Sequence, residues 1–284
     1  MAIKDVLLAL STYPDPTPDA SIDCTLALCA QLTAQATGVA FAIEMKPAHR
    51  TNFLVNMMVD VPAMAAEETA KSRAHAAHVQ SYFRASATRL QVRSDTRSES
   101  CEMFSVAGAI AEEAKLHDLT IFAMQNIAGV EQWHAEVAMF GSGRPVLVLP
   151  GPARLKPDFS LARITLAWDY SRPAVRALAD ALPLLQIAGK VRVVTIENEK
   201  KLDARIAPER LSQHLAAHGV QAEFATVDAR GRTAEAALRA DLVANSTDLL
   251  VMGAFGHSRV REFVLGGTTR SMLEDTPVPV LFSH

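Results

Sequence analysis

One arrangement of residues occurs twice in this chain, and that repeat restricts the folds open to it. Each copy holds a short apolar run, a connection, and a second apolar run introduced by proline. Asp118 aligns with Asp248 at an offset of 130, and Pro145-Val146-Leu147 aligns with Pro279-Val280-Leu281 at an offset of 134. The first copy has therefore lost four residues between its two runs. Leu119 to Met124 and Leu249 to Met252 show no polar alternation, which is the pattern of strands buried on both faces of a parallel sheet. A duplicated unit with such strands points to two copies of one α/β fold.

The rest of the sequence agrees. In the first half, strands are expected at Ile3–Leu10, Val39–Ile43, Leu90–Arg93, Leu119–Met124 and Pro145–Leu149. Between them lie helical patterns: one capped by Ser21 and ended by Gly38, one over about Pro62–Ala87, one over Ser105–His117, and a short one over His134–Phe140. Pro150-Gly151-Pro152 breaks the pattern and reads as a linker. The second half repeats the order. Its strands are expected at Ile164–Trp168, Val191–Ile196, Ala222–Val227, Leu249–Met252 and Val278–Phe282, and its helices over Arg172–Ile187, Pro208–His218, Thr233–Asn245 and a short final stretch. Strands alternating with amphipathic helices imply right-handed crossovers and parallel sheets with helices on both faces. At 284 residues the chain exceeds one ordinary core, so two domains are expected, 1–150 and 151–284.

The two copies differ most just after the strand at Leu249–Met252. There the second half carries Gly253, Gly256, Gly266 and Gly267, followed by Thr268 and Thr269, which open a helical segment reaching about Glu274. Glycines let a backbone approach a ligand and turn its N–H groups inward, and a helix N-terminus adds unpaired donors and a positive dipole end. Phosphate suits such a surface. The aligned residues of the first half are Ala123, Asn126, Gln132 and Trp133, so a tryptophan stands where phosphate needs bare backbone and is expected to obstruct the site.

The spacing Gly253, two residues, Gly256, nine residues, Gly266 resembles the nucleotide-binding signature of the universal stress protein family. The resemblance is specific in residues 161–284 and architectural in 1–150. It implies an α/β fold of two tandem doubly wound domains, each a five-stranded parallel sheet of order 3-2-1-4-5 with helices on both faces. It also implies that Pro145–Leu149 pairs with Val278–Phe282 within the chain, as an intrachain pseudo-dimer, with a further homodimer open. The ligand implied is ATP or a related adenine nucleotide, with or without magnesium, serving a stress-responsive regulatory role with a protein partner as yet unknown. Asp169, in Trp168-Asp169-Tyr170-Ser171, resembles the family's aspartate that contacts base or sugar; capping the next helix is the alternative. Ile196 would line the base or sugar pocket or belong to the core. His257, Ser258 and Arg259 either assist the phosphates or form a solvated loop. The family usually has serine, threonine or asparagine at the position of Gly267, so Thr268 or Thr269 would have to reach the outer phosphates instead.

Other classes are disfavoured. Net charge is −3 and no basic stripe is present, so neither nucleic acid nor an anionic membrane is expected as partner. The apolar stretch at Met1–Leu10 is too short for a signal peptide or a membrane span, and a cytoplasmic protein is expected. Cys24, Cys29 and Cys101 lack metal-ligand spacing and read as buried thiols. His75 and His78 share a helix without a third ligand and read as packing or solvated residues. No phosphate-binding loop ending in lysine and a hydroxyl residue occurs, and Gly141-Ser142-Gly143 precedes a strand rather than a helix. Asp169, His257 and Ser258 lack the nucleophile-elbow context of a hydrolytic triad. A slow ATPase and an interaction scaffold that binds no nucleotide remain as rival functions.

Overall fold

The computed structural model describes residues 2–46, 60–125, 129–156, 159–197, 208–254 and 267–284. In chain order the first half contains β1 (Asp5–Leu10), α1 (Asp19–Leu32), β2 (Gln35–Ile43), α2 (Val61–Arg89), β3 (Ser94–Cys101), α3 (Val106–Ala114), β4 (Leu119–Ala123), α4 (Val130–Gly141) and β5 (Val146–Leu149). The second contains β6 (Arg163–Ala167), α5 (Arg172–Leu185), β7 (Lys190–Glu197), α6 (Pro208–Ala217), β8 (Ala222–Asp228), α7 (Ala234–Ala244), β9 (Leu249–Gly253), α8 (Gly267–Glu274) and β10 (Val280–Ser283).

All ten strands form one sheet in the order β3-β2-β1-β4-β5-β10-β9-β6-β7-β8. Each half contributes five parallel strands in the order 3-2-1-4-5, and the halves meet where β5 and β10 pair antiparallel, with Leu281 opposite Leu147 and Phe282 opposite Val146. Both edges at this seam are buried, which removes two apolar strand edges that would otherwise template aggregation. The helices wind on both faces. Ile22 and Leu26 of α1, Val79 and Phe83 of α2, Leu178 and Leu184 of α5 and Leu211 and Leu215 of α6 pack on one face. Ile110 of α3, Met139 of α4, Leu238 of α7 and Met272 of α8 pack on the other.

The aspartates that mark the repeat are latches. Asp118 Oδ2 accepts from the N–H groups of Lys4 (2.9 Å) and Asp5 (3.1 Å), just before β1. Asp248 Oδ2 accepts from Arg163 N–H (3.0 Å) at the start of β6, and its other oxygen takes Lys156 Nζ at 2.8 Å. Each carboxylate thus ties the entrance of strand 4 to that of strand 1 in its half.

Several local expectations are corrected. Gly38 lies inside β2 rather than ending α1; the helix stops at Leu32 with Thr33 in the left-handed region (φ 51°). A Cβ at Gly38 would lie 3.1 Å from Leu10 Cδ1 and 3.2 Å from the Phe83 ring, so the glycine serves the approach of α2 to the sheet. The helix cap is Pro18, not Ser21. Strand β3 runs over Ser94–Cys101 rather than Leu90–Arg93, and α4 begins at Val130, four residues before His134.

Candidate functional site

The sheet order reverses between β6 and its neighbour β9, the kind of switch point where open α/β sheets bind ligands beyond their strand C-termini. Three predicted residues lie at that end of the sheet. Ala167 of β6 is in register with Val194 of β7, and Leu166 with Val251 of β9. Two residues further along each strand bring Asp169, Ile196 and Gly253 to the same end of the sheet. Trp168 N–H still donates to Val194 O (2.8 Å), after which the chain leaves the sheet.

The turn that follows is built from its own side chains. Asp169 Oδ1 accepts from Ser171 N–H (3.0 Å), Tyr170 takes a left-handed conformation (φ 62°), and Ser171 Oγ caps α5 by accepting from Ala174 N–H (3.3 Å). The cap is therefore Ser171, and Asp169 orders the turn ahead of it. Ile196 is half-buried and packs against the core on the α7 and α8 face. Pro173 is the neighbour that sequence reasoning missed: a Cβ on Gly253 would lie 2.5 Å from Pro173 C and from Ala174 N. Gly253 is thus required for α5 to sit on the end of β9, a role in packing.

Gly267, Thr268 and Thr269 open the described part of α8. Gly267 is exposed and a Cβ there would meet nothing within 4 Å, so its backbone is accessible and no packing demand explains the glycine. Thr268 is half-buried and Thr269 buried against the core. Gly256, His257, Ser258, Arg259 and Gly266, like Asn126 in the first half, lie outside the described residues.

The corresponding end of the first half is closed by α2. Ser72 Oγ accepts from Ile43 N–H (2.8 Å) and pairs with Thr12 Oγ1 (2.7 Å), which itself donates to Phe41 O (2.7 Å). Thr69 Oγ1 accepts from Met45 N–H (3.0 Å), and His75 Nδ1 donates to Thr12 O (2.9 Å). Side chains of one helix thereby occupy polar backbone groups where β1 and β2 end. A cavity of about 20 Å³ remains, bounded among others by Thr12, Phe41, Phe122, Glu131 and His134. That is room for about one water. Trp133 does not obstruct it: the side chain is 55% exposed and lies outside the lining, because α4 begins early enough to turn Glu131 and His134 inward instead.

Desolvation in that wall lowers the His134 pKa to about 4. The unfolded chain, with histidine near 6.5, then binds a proton that the folded chain refuses, so stability is full above about pH 6.5 and declines as pH falls towards 4. With the ring partly exposed, the loss is expected to be roughly 2 kcal/mol. Urea midpoints measured at about pH 7 and pH 4.5 should show it, and His134→Gln should flatten that part of the profile.

Comparison with known proteins agrees with this fold. Residues 161–284, which hold β6 to β10 and every predicted site residue, match the model of the Universal stress protein family. The second half is a universal stress protein domain. A universal stress protein of Synechocystis sp. is 57% identical over 37 residues, a match that spans 13% of this chain and 13% of that relative. Among solved structures, a universal stress protein from Archaeoglobus fulgidus aligns over 98% of this chain and 95% of its own, with a TM-score of 0.69 and 14% identity. A putative universal stress protein from Pseudomonas aeruginosa aligns over 99% and 93%, with a TM-score of 0.57 and 13% identity. These likenesses are of fold and run the length of both halves, so the chain is a tandem of two universal stress folds.

Proposed function

We propose that the second half binds ATP or a related adenine nucleotide and that the chain uses this binding in a regulatory, stress-responsive role. The observation that carries the reading is the position of Asp169, Ile196 and Gly253 at the switch point of a universal stress protein domain. Asp169 would hold the ribose or base, Ile196 would face the base, and the loop from Gly253 through Gly256, His257, Ser258 and Arg259 to Gly266 would cradle the phosphates with backbone N–H groups. The accessible backbone at Gly267 and the half-buried Thr268 suit the outer phosphates, whereas Thr269 is turned into the core. Magnesium, when bound, would neutralise phosphate charge.

The first half would bind no nucleotide, since α2 fills the equivalent end and its cavity is about 20 Å³. The domain limits we adopt are 1–150 and 151–284. The expected setting is the cytoplasm, consistent with three buried free cysteines, with a protein partner reading the nucleotide state and self-association beyond the β5–β10 seam left to measurement.

Gly267→Ser tests the phosphate geometry. A Cβ added there meets nothing within 4 Å. A hydroxyl within reach of a phosphate oxygen should tighten ATP binding by about tenfold, the worth of one charge-assisted hydrogen bond. Gly267→Ala, which adds the carbon without the hydroxyl, should leave affinity near that of the parent. Equal affinities for the serine and alanine variants would contradict this placement of the phosphates.

A further inference from the structure

We infer that His214 and His218 form a surface chelate for a borderline divalent cation of the nickel, zinc or copper(II) class. Four residues apart at the end of α6, they project from one side of the helix, and their ring centroids are 4.8 Å apart. Both are exposed, while Leu211 and Leu215 of the same helix are buried in the core and hold it against the sheet. The backbone that carries them is closed by its own hydrogen bonds. Val220 N–H donates to Leu215 O and Gly219 N–H to Ala216 O, both at 2.9 Å, with Gly219 in the left-handed conformation (φ 76°). This is the pattern of a helix C-terminal cap, and it makes His218 the capping residue. Gln186 Nε2 adds a bond to His218 O at 3.0 Å. Side-chain torsions alone then have to change for one nitrogen of each ring to reach a shared ion at about 2.0–2.1 Å.

The chemistry selects the class of ion. Two neutral imidazoles are borderline donors that favour copper(II), nickel and zinc over magnesium or calcium. A cation at this position also complements the negative end of the helix dipole. Among the described residues no group of three histidine, cysteine or acidic side chains is placed to hold a metal, so water completes the coordination and the ion exchanges freely. The other spaced pair, His75 and His78, is already committed, His75 to Thr12 O at 2.9 Å and His78 to Asp19 at 3.3 Å. His117 is held between Asp5 and Glu113.

Calorimetric titration of the full chain with nickel(II) chloride, in the absence of nucleotide, tests the assignment. One site per chain is expected, lost in His214→Ala and equally in His218→Ala, and unchanged in His75→Ala. Because the ion binds the folded chain, nickel should raise the thermal midpoint of the parent and leave that of either variant where it was. Absence of a site, survival of the site in His218→Ala, or its loss in His75→Ala would each overturn the inference.

Discussion

Replacing Gly253 by alanine is expected to destabilise the chain by about 3 kcal/mol, near the upper end of what overpacking costs. The added carbon would sit 2.5 Å from Ala174 N and Pro173 C and 2.8 Å from Pro173 Cβ. Two of those atoms are backbone, so no rotamer change relieves the clash. Strand β9 is held by β10 on one side and β6 on the other, and the first turn of α5 is fixed by the Ser171 cap and Pro173, so neither partner yields cheaply. The thermal midpoint should fall by roughly 5–10 °C, and the urea midpoint should move without a change in slope. A variant within about 0.5 kcal/mol of the parent would contradict the contact. Gly267→Ala is the counterpart: with open space around the added carbon, it should stay within about 0.5 kcal/mol of the parent.

The second large effect is on binding. Under the proposed function, Gly256→Leu or Gly266→Leu should weaken ATP binding by at least about a hundredfold, roughly 3 kcal/mol, by denying the phosphates access to the backbone. Far-ultraviolet circular dichroism and the urea midpoint should change little. Asn126→Leu, at the aligned position of the first half, should leave binding unaltered. Equal losses from Asn126→Leu and Gly256→Leu would put the site in the wrong half.

What the sequence made legible follows from burial. Strands β1, β4, β5, β9 and β10 are covered on both faces, so they must be apolar runs, and their order and the β5–β10 seam could be anticipated from the repeat and the family it resembles. Strand β3 could not. It sits at the sheet edge with nearly every side chain exposed, and Ser-Asp-Thr-Arg-Ser-Glu-Ser carries neither alternation nor an apolar run. Gly38 was misread because a glycine between two apolar segments signals a helix end as readily as a close helix–strand approach. At the site, Asp169, Ile196 and Gly253 were legible because strand ends at a switch point are fixed by topology. The closure of the first half by Thr69, Ser72 and His75 was not, since these side chains serve backbone groups 24 to 63 residues away. The packing role of Gly253 was hidden for the same reason: it depends on Pro173, 80 residues earlier.

The most direct test of the central claim is calorimetric titration of the purified chain with ATP and magnesium, after a denatured sample has been checked for nucleotide carried through purification. One site per chain is expected, which disappears in Gly256→Leu and persists in Asn126→Leu. No carried nucleotide and no heat across several concentrations and temperatures would contradict that claim and leave a tandem universal stress fold that works without nucleotide.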